Sequence, residues 1–125
     1  MKKRALVLCV AAWSVGCSAD PVHVDENDSG RAIMLAVDQE LVVTLASNPS
    51  TGYTWSFQLT REGVIAANGS EYDPTEPQIP GSGGRERFRF IAVESGQTTL
   101  RFEYRRPWET DTPPAQTVTY DVVVE

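Results

Sequence analysis

The stretch "NPSTGYTWSFQL" (Asn48–Leu59) carries two different signals side by side. Its second half alternates: Tyr53, Trp55, Phe57 and Leu59 fall on one side, and Thr54, Ser56 and Gln58 on the other. Alternation with a period of two is the pattern of a half-buried strand, apolar toward a core and polar toward water. Its first half is a turn with Pro, two hydroxyl residues and Gly, far richer than the Asn-Gly or Asp-Gly that suffices to join two strands.

The same alternation recurs on both sides of this stretch. Upstream, "AIMLAV" (Ala32–Val37) is an apolar run, and "ELVVTLA" (Glu40–Ala46) sets Leu41, Val43 and Leu45 on one face. Downstream, "GVIAANGSEY" (Gly63–Tyr72) reads as a strand with an irregular exit. "RERFRFIA" (Arg85–Ala92), "TTLRFEYR" (Thr98–Arg105) and "QTVTYDVVVE" (Gln116–Glu125) all alternate cleanly. Polar turns such as "VDQE" and "ESGQ" punctuate the series, and no dozen-residue window beyond the N-terminal leader shows a helical stripe. This pattern predicts an all-β chain, an immunoglobulin-like β-sandwich of about seven antiparallel strands. Trp55, Phe57, Phe88, Phe90, Phe102 and Tyr120 are its expected core, each worth roughly 1.5–3 kcal/mol when fully buried.

The N-terminus reads as an export signal. "MKKR" is a basic start, "ALVLCVAAWSV" is too short to span a bilayer as a mature helix, and small residues follow. "SVGC" resembles the bacterial lipobox, with Ser14 where Leu is usual. The expected organisation is therefore residues 1–16 as signal peptide, Cys17 as a lipidated mature N-terminus, residues 17–30 as a flexible acidic tether, and residues 31–125 as the folded domain. Cleavage after Ala19, giving a soluble secreted protein, is the alternative. The lipoprotein would be exported and held on the cell-envelope membrane by its acyl chains, at roughly 0.8 kcal/mol per buried methylene. From Cys17 onward the charge is 8 Arg minus 17 Asp and Glu, or −9. So acidic a domain lacks the basic face that phosphate contacts need, which excludes nucleic acid as a partner.

Three connections stand out: "NPSTGY" (Asn48–Tyr53), "GSGG" (Gly81–Gly84) and "RPW" (Arg106–Trp108). If successive strands run in opposite directions, two strands separate each loop from the next, so all three emerge at one end of the sandwich. The plain turns fall at the other. Pro49 fixes φ, Gly52 permits a positive φ, and Asn48 can hydrogen-bond the turn, so the first loop should be stiff and present the Ser50 and Thr51 hydroxyls outward. Gly81, Gly83 and Gly84 leave the backbone bare for close approach, with Ser82 between them. Trp108 is a large apolar side chain in a polar loop, the kind of residue that anchors interfaces.

Taken together, the three motifs resemble those of the chagasin family of cysteine-peptidase inhibitors, written NPTTG(Y/F), GxGG and RPW in this order. The likeness extends to "GYTW" and "EYRRPWE" around them and spans about Arg31 to Glu125. It implies an immunoglobulin-like fold whose loops block the cleft of papain-like cysteine peptidases reversibly and without a covalent bond. Asn48, Pro49, Ser50, Thr51, Gly52 and Tyr53 would then form the central wedge at the catalytic Cys–His pair. Gly81, Ser82, Gly83 and Gly84 would follow the non-primed side, and Arg106, Pro107 and Trp108 the other. Ser50 stands where the family has Thr, keeping the hydroxyl but losing a methyl worth at most about 1 kcal/mol.

Other chemistry has little to build on. The single His, His23, lies in the expected tether, so a Ser–His or Cys–His mechanism lacks its base, and no enzyme is expected. "DENDSG" (Asp25–Gly30) begins like a calcium loop, but Ala36 occupies the twelfth position where Glu is required, so neither metal nor cofactor is expected. The Arg85, Arg87 and Arg89 row should pair across the sheet with acids such as Glu103. A monomer is expected. The alternative function is an envelope-anchored adhesion or carbohydrate-binding module using the same loops.

Overall fold

In the computed structural model, which describes residues 19–74 and 83–125, the alternating segments form a two-layer β-sandwich. One sheet holds β1 (Val22–Asp25), β3 (Glu40–Ser47), β6 (Gly84–Ala92) and β5 (Ile65–Pro74), in that spatial order. The other holds β2 (Ala32–Leu35), β8 (Gln116–Val124), β7 (Gly96–Arg105) and β4 (Thr54–Leu59). The expected leader, residues 1–16, and Cys17 lie outside the described residues.

The core is what period two dictates. Leu41, Val43, Leu45, Phe88 and Phe90 from one sheet meet Leu100, Phe102, Val118, Tyr120 and Val122 from the other, all buried. Phe102 sits at the centre, with the rings of Trp55, Phe57, Phe88, Phe90 and Tyr120 at centroid distances from 5.0 to 6.5 Å. Most of these pairs are tilted or edge-on, the arrangement ring quadrupoles favour, worth about 0.5–1.5 kcal/mol per pair beyond area burial.

Two expectations need correcting. First, the acidic segment before Arg31 is not a flexible tether over its described length. Val22–Asp25 form β1, parallel to β3, and Val22 and Val24 pack against the core. Glu26–Asp28 form a 3-10 turn closed by a capping box: Asn27 N–H donates to Asp25 Oδ1 at 2.9 Å, and Asp25 N–H to Asp28 Oδ2 at 3.0 Å. The Tyr120 hydroxyl donates to the Asp25 carbonyl at 2.6 Å. A four-residue strand with two valines is too short to display a period, and its acids serve as caps rather than as solvated charge.

The sandwich is the expected one; its described strands number eight, and two of their pairings are parallel: β1 with β3 and β2 with β8. Strand direction still reverses at every step along the chain. The parallel pairs arise because β1 and β2 each dock at a sheet edge beside a strand running the same way.

Second, the arginine row pairs with other acids than Glu103. Arg85 reaches Glu26, Arg87 reaches Glu71 and Asp73, and Arg89 reaches Glu40 and Glu71. Glu103 belongs to the opposite sheet, where it pairs with Arg101 and Arg105. Exposed pairs of this kind add about 0–1 kcal/mol each, so their main effect is to keep the outer face polar.

Candidate functional site

Registers fix where the three loops emerge. Ser47, at the end of β3, pairs with Gly84 at the start of β6, and Pro74, at the end of β5, pairs with Gly84 too. In the other sheet Thr54 pairs with Arg105, and Tyr104 with Gln116. The β3–β4, β5–β6 and β7–β8 connections therefore leave from one end, as strand counting requires. Gly81 and Ser82 lie outside the described residues, whereas Gly83 and Gly84 are seen at the foot of their loop.

The β3–β4 connection is built from the inside. Pro49–Thr51 form a 3-10 turn with Asn48 as its N-cap and Gly52 closing it in the left-handed region at φ 85°. Asn48 Oδ1 accepts from Ser50 N–H at 3.3 Å and from Ser50 Oγ at 2.6 Å. Thr51 Oγ1 donates to the Asn48 carbonyl at 2.7 Å and accepts from Tyr53 N–H at 3.4 Å. The two hydroxyls are thus turned into the loop, not presented outward: short side chains beside a tight turn reach backbone partners before solvent does. Ser50 and Thr51 are exposed, so the turn presents a stiff surface that includes the Thr51 methyl.

That frame is locked to the β7–β8 loop. Arg106 Nε donates to the Thr51 carbonyl at 3.1 Å, and its guanidinium lies 4.6 Å from the centroid of the Tyr53 ring. Glu109 holds the same guanidinium from behind at 3.6 Å, and Glu109 N–H donates to the Arg106 carbonyl at 3.0 Å. The benzo edge of Trp108 rests on Gly52, where a Cβ would come within 2.5 Å of Trp108 Cη2. Trp108 remains 68% exposed. The foot of the β5–β6 loop closes on the other flank, since a Cβ on Gly83 would meet the Ser47 carbonyl at 2.8 Å and Asn48 Cβ at 3.2 Å.

Two supports were not legible as functional residues. Tyr104 reads as one more inward position of β7, yet its hydroxyl accepts from Asn48 N–H at 3.0 Å and its ring stacks on Tyr53 at 5.2 Å. Glu26 reads as tether, yet it accepts from Ala46 N–H at 2.9 Å and pairs with Arg85 at 3.0 Å, one residue beyond each of the two loop feet. Below them Glu86 is half-buried. Desolvation pushes its carboxyl above the usual range, with the hydrogen bond from Ser47 pulling the other way. The described residues hold no cluster of His, Cys, Asp and Glu able to bind a metal ion.

The family model described as chagasin family peptidase inhibitor I42 matches residues 34–122. Amoebiasin-2 of Entamoeba histolytica is 25% identical over 122 residues, covering 94% of this chain and 93% of that protein. Chagasin of Trypanosoma cruzi is 28% identical over 90 residues, covering 68% and 81%. Among solved structures, the cysteine protease inhibitor EhICP2 from Entamoeba histolytica superposes with a TM-score of 0.77 at 23% identity, over 85% of this chain and 96% of that one.

Proposed function

The chain belongs to the chagasin family of peptidase inhibitors, and on that premise we propose that it inhibits papain-like cysteine peptidases reversibly by seating its three-loop end in their active-site cleft. Family membership makes it an inhibitor rather than an enzyme, and it displaces the adhesion or carbohydrate-binding reading. The observation that carries the proposal is the fusion of two of the loops: Arg106 bonded to Thr51 and Trp108 on Gly52 make one edge of the β3–β4 and β7–β8 connections, with Gly83, at the foot of the third, packed against Asn48.

Rigidity is what an uncleaved insert requires. A peptidase cuts an extended chain whose carbonyl is aligned with its thiolate. A turn held by Pro49, by Asn48 capping and by left-handed Gly52 cannot take that extended register. It fills the site without becoming substrate. Preorganisation also spares the ordering cost of binding, about 0.5–1.5 kcal/mol for each immobilised side chain. In this reading Asn48–Tyr53 form the wedge facing the Cys–His pair. The Gly81–Gly84 loop follows the non-primed side, and Arg106, Pro107 and Trp108 cover the other, with Trp108 stacking on the enzyme.

The protein is also proposed to be an exported monomer anchored through Cys17. In support, β1 runs parallel to β3, toward the loops, and Gln39 at the opposite end donates to the Asp20 carbonyl at 2.8 Å. The chain thus enters the domain from the pole opposite the loops, an orientation that leaves them facing away from a membrane. Titration of papain, followed by hydrolysis of a small fluorogenic peptide, tests the inhibitory reading. Competitive, dilution-reversible inhibition is the expected result, and full activity at stoichiometric excess of this protein would overturn it.

A further inference from the structure

We propose that Tyr104, outside the three loop motifs, is the positioning residue that sets the wedge across the gap between the two sheets. The proposal rests on the inhibitory reading above. Asn48 follows β3 in one sheet, while Tyr53 leads into β4 in the other. The turn must therefore bridge the sandwich at its open end, where no backbone ladder joins the layers. Tyr104, on β7, holds both of its ends: the hydroxyl accepts from Asn48 N–H at 3.0 Å, and the ring stacks on Tyr53 at 5.2 Å with an interplanar angle of 23°.

The residue itself is firmly held. Its ring lies 4.6 Å from that of Trp55, whose indole N–H donates across the sheets to the Ala46 carbonyl at 2.9 Å. Its carbonyl accepts from Ala115 N–H at 2.8 Å, which ties it to the base of the β7–β8 loop. Tyr53 in turn carries the Arg106 guanidinium on its ring. A shift at Tyr104 would therefore move the first residue of the wedge, its last residue, and the arginine that joins it to Trp108. A hydroxyl at this point is a polar group on an otherwise aromatic stack, and the Asn48 amide is the partner the fold gives it.

Tyr104→Phe removes the hydroxyl and keeps both stacks, so the variant retains the core. The inhibition constant for papain is expected to rise roughly three- to tenfold, the range one neutral hydrogen bond carries. Measured well below the melting temperature, where both proteins are folded, that rise cannot come from an unfolded fraction. Amide hydrogen exchange read by NMR supplies the second measurement, independent of any peptidase: protection of the Asn48 amide should fall in the variant while that of Val43 and Phe102 is unchanged. A Tyr104→Phe protein with wild-type inhibition and wild-type Asn48 protection would overturn the positioning role alone. Wild-type protein that fails to inhibit, with Asn48 protection lost in the variant, would remove the inhibitory reading and leave the hold of Tyr104 on Asn48 standing.

Discussion

Trp108 and Gly52 are in direct contact, with the indole's benzo edge occupying the space where any side chain on Gly52 would lie. Gly52 is constrained twice, because its φ of 85° is also one that an L side chain adopts at a cost of about 1–2 kcal/mol. Gly52→Ala should therefore displace Trp108 and distort the turn. Inhibition of a papain-like peptidase should weaken by roughly tenfold or more, with near-wild-type secondary structure by circular dichroism. Unchanged inhibition would show that the contact between the loops has no bearing on binding.

Trp108→Ala separates the anchor from its seat. A side chain this exposed contributes little to folding, so the melting temperature should hold within a degree or two. Truncated interface tryptophans commonly cost 2 kcal/mol or more, about a thirtyfold loss of affinity. In a double-mutant cycle with Gly52→Ala the two losses should fall short of additive, since each disturbs the same contact. Strict additivity would place the two residues in independent roles.

The N-terminal segment should matter for stability, against its reading as a tether. A protein beginning at Arg31 lacks β1, the acceptor for the Tyr120 hydroxyl, and the Glu26 carboxylate under Ala46 and Arg85. Leaving a buried hydroxyl without its partner costs about 1–3 kcal/mol on its own. For a domain of about 100 residues that is a fall in melting temperature on the order of 10 °C. Thermal denaturation of the two lengths side by side is the check, and equal midpoints would mean that the segment is merely adherent.

Glu86 gives stability a definite pH dependence. Desolvation raises its folded pKa above the ordinary value of 4.5, so the folded state holds a proton that the unfolded state has released. Its contribution is then fully present below 4.5 and is lost as pH rises through the folded pKa. Glu86→Gln should flatten the stability profile in that window and raise the melting temperature at neutral pH, because Gln can still accept from Ser47. A variant less stable at pH 7 and unchanged at pH 4 would reverse the sign.

Much of this was legible in the sequence because period-two alternation is a strong signal wherever one sheet face is buried. β4, β6, β7 and β8 are readable residue by residue, and the common end of the loops follows from counting alone. Contributions made by single polar atoms were not legible. Tyr104 looks like any inward aromatic until its hydroxyl is seen across the sheets, and Glu26 looks like solvated charge until Ala46 is beside it. The sequence of the turn reads as presenting the Ser50 and Thr51 hydroxyls outward, but a tight turn satisfies its own donors first. Alternation gives a residue's face and not its sheet, so acids such as Glu103 read as partners of the arginine row although Glu103 lies in the other sheet.

If the three-loop end occupies an open peptidase cleft, blocking that cleft must abolish binding. Binding of this protein to papain with a free active-site cysteine should be compared, by surface plasmon resonance or calorimetry, with binding to papain whose cysteine carries a bulky covalent blocking group. Tight binding to the open enzyme and loss of at least about a hundredfold in affinity, roughly 2.8 kcal/mol, for the blocked one is the predicted result. Equal binding to both would contradict the claim, since the contact would then lie outside the cleft.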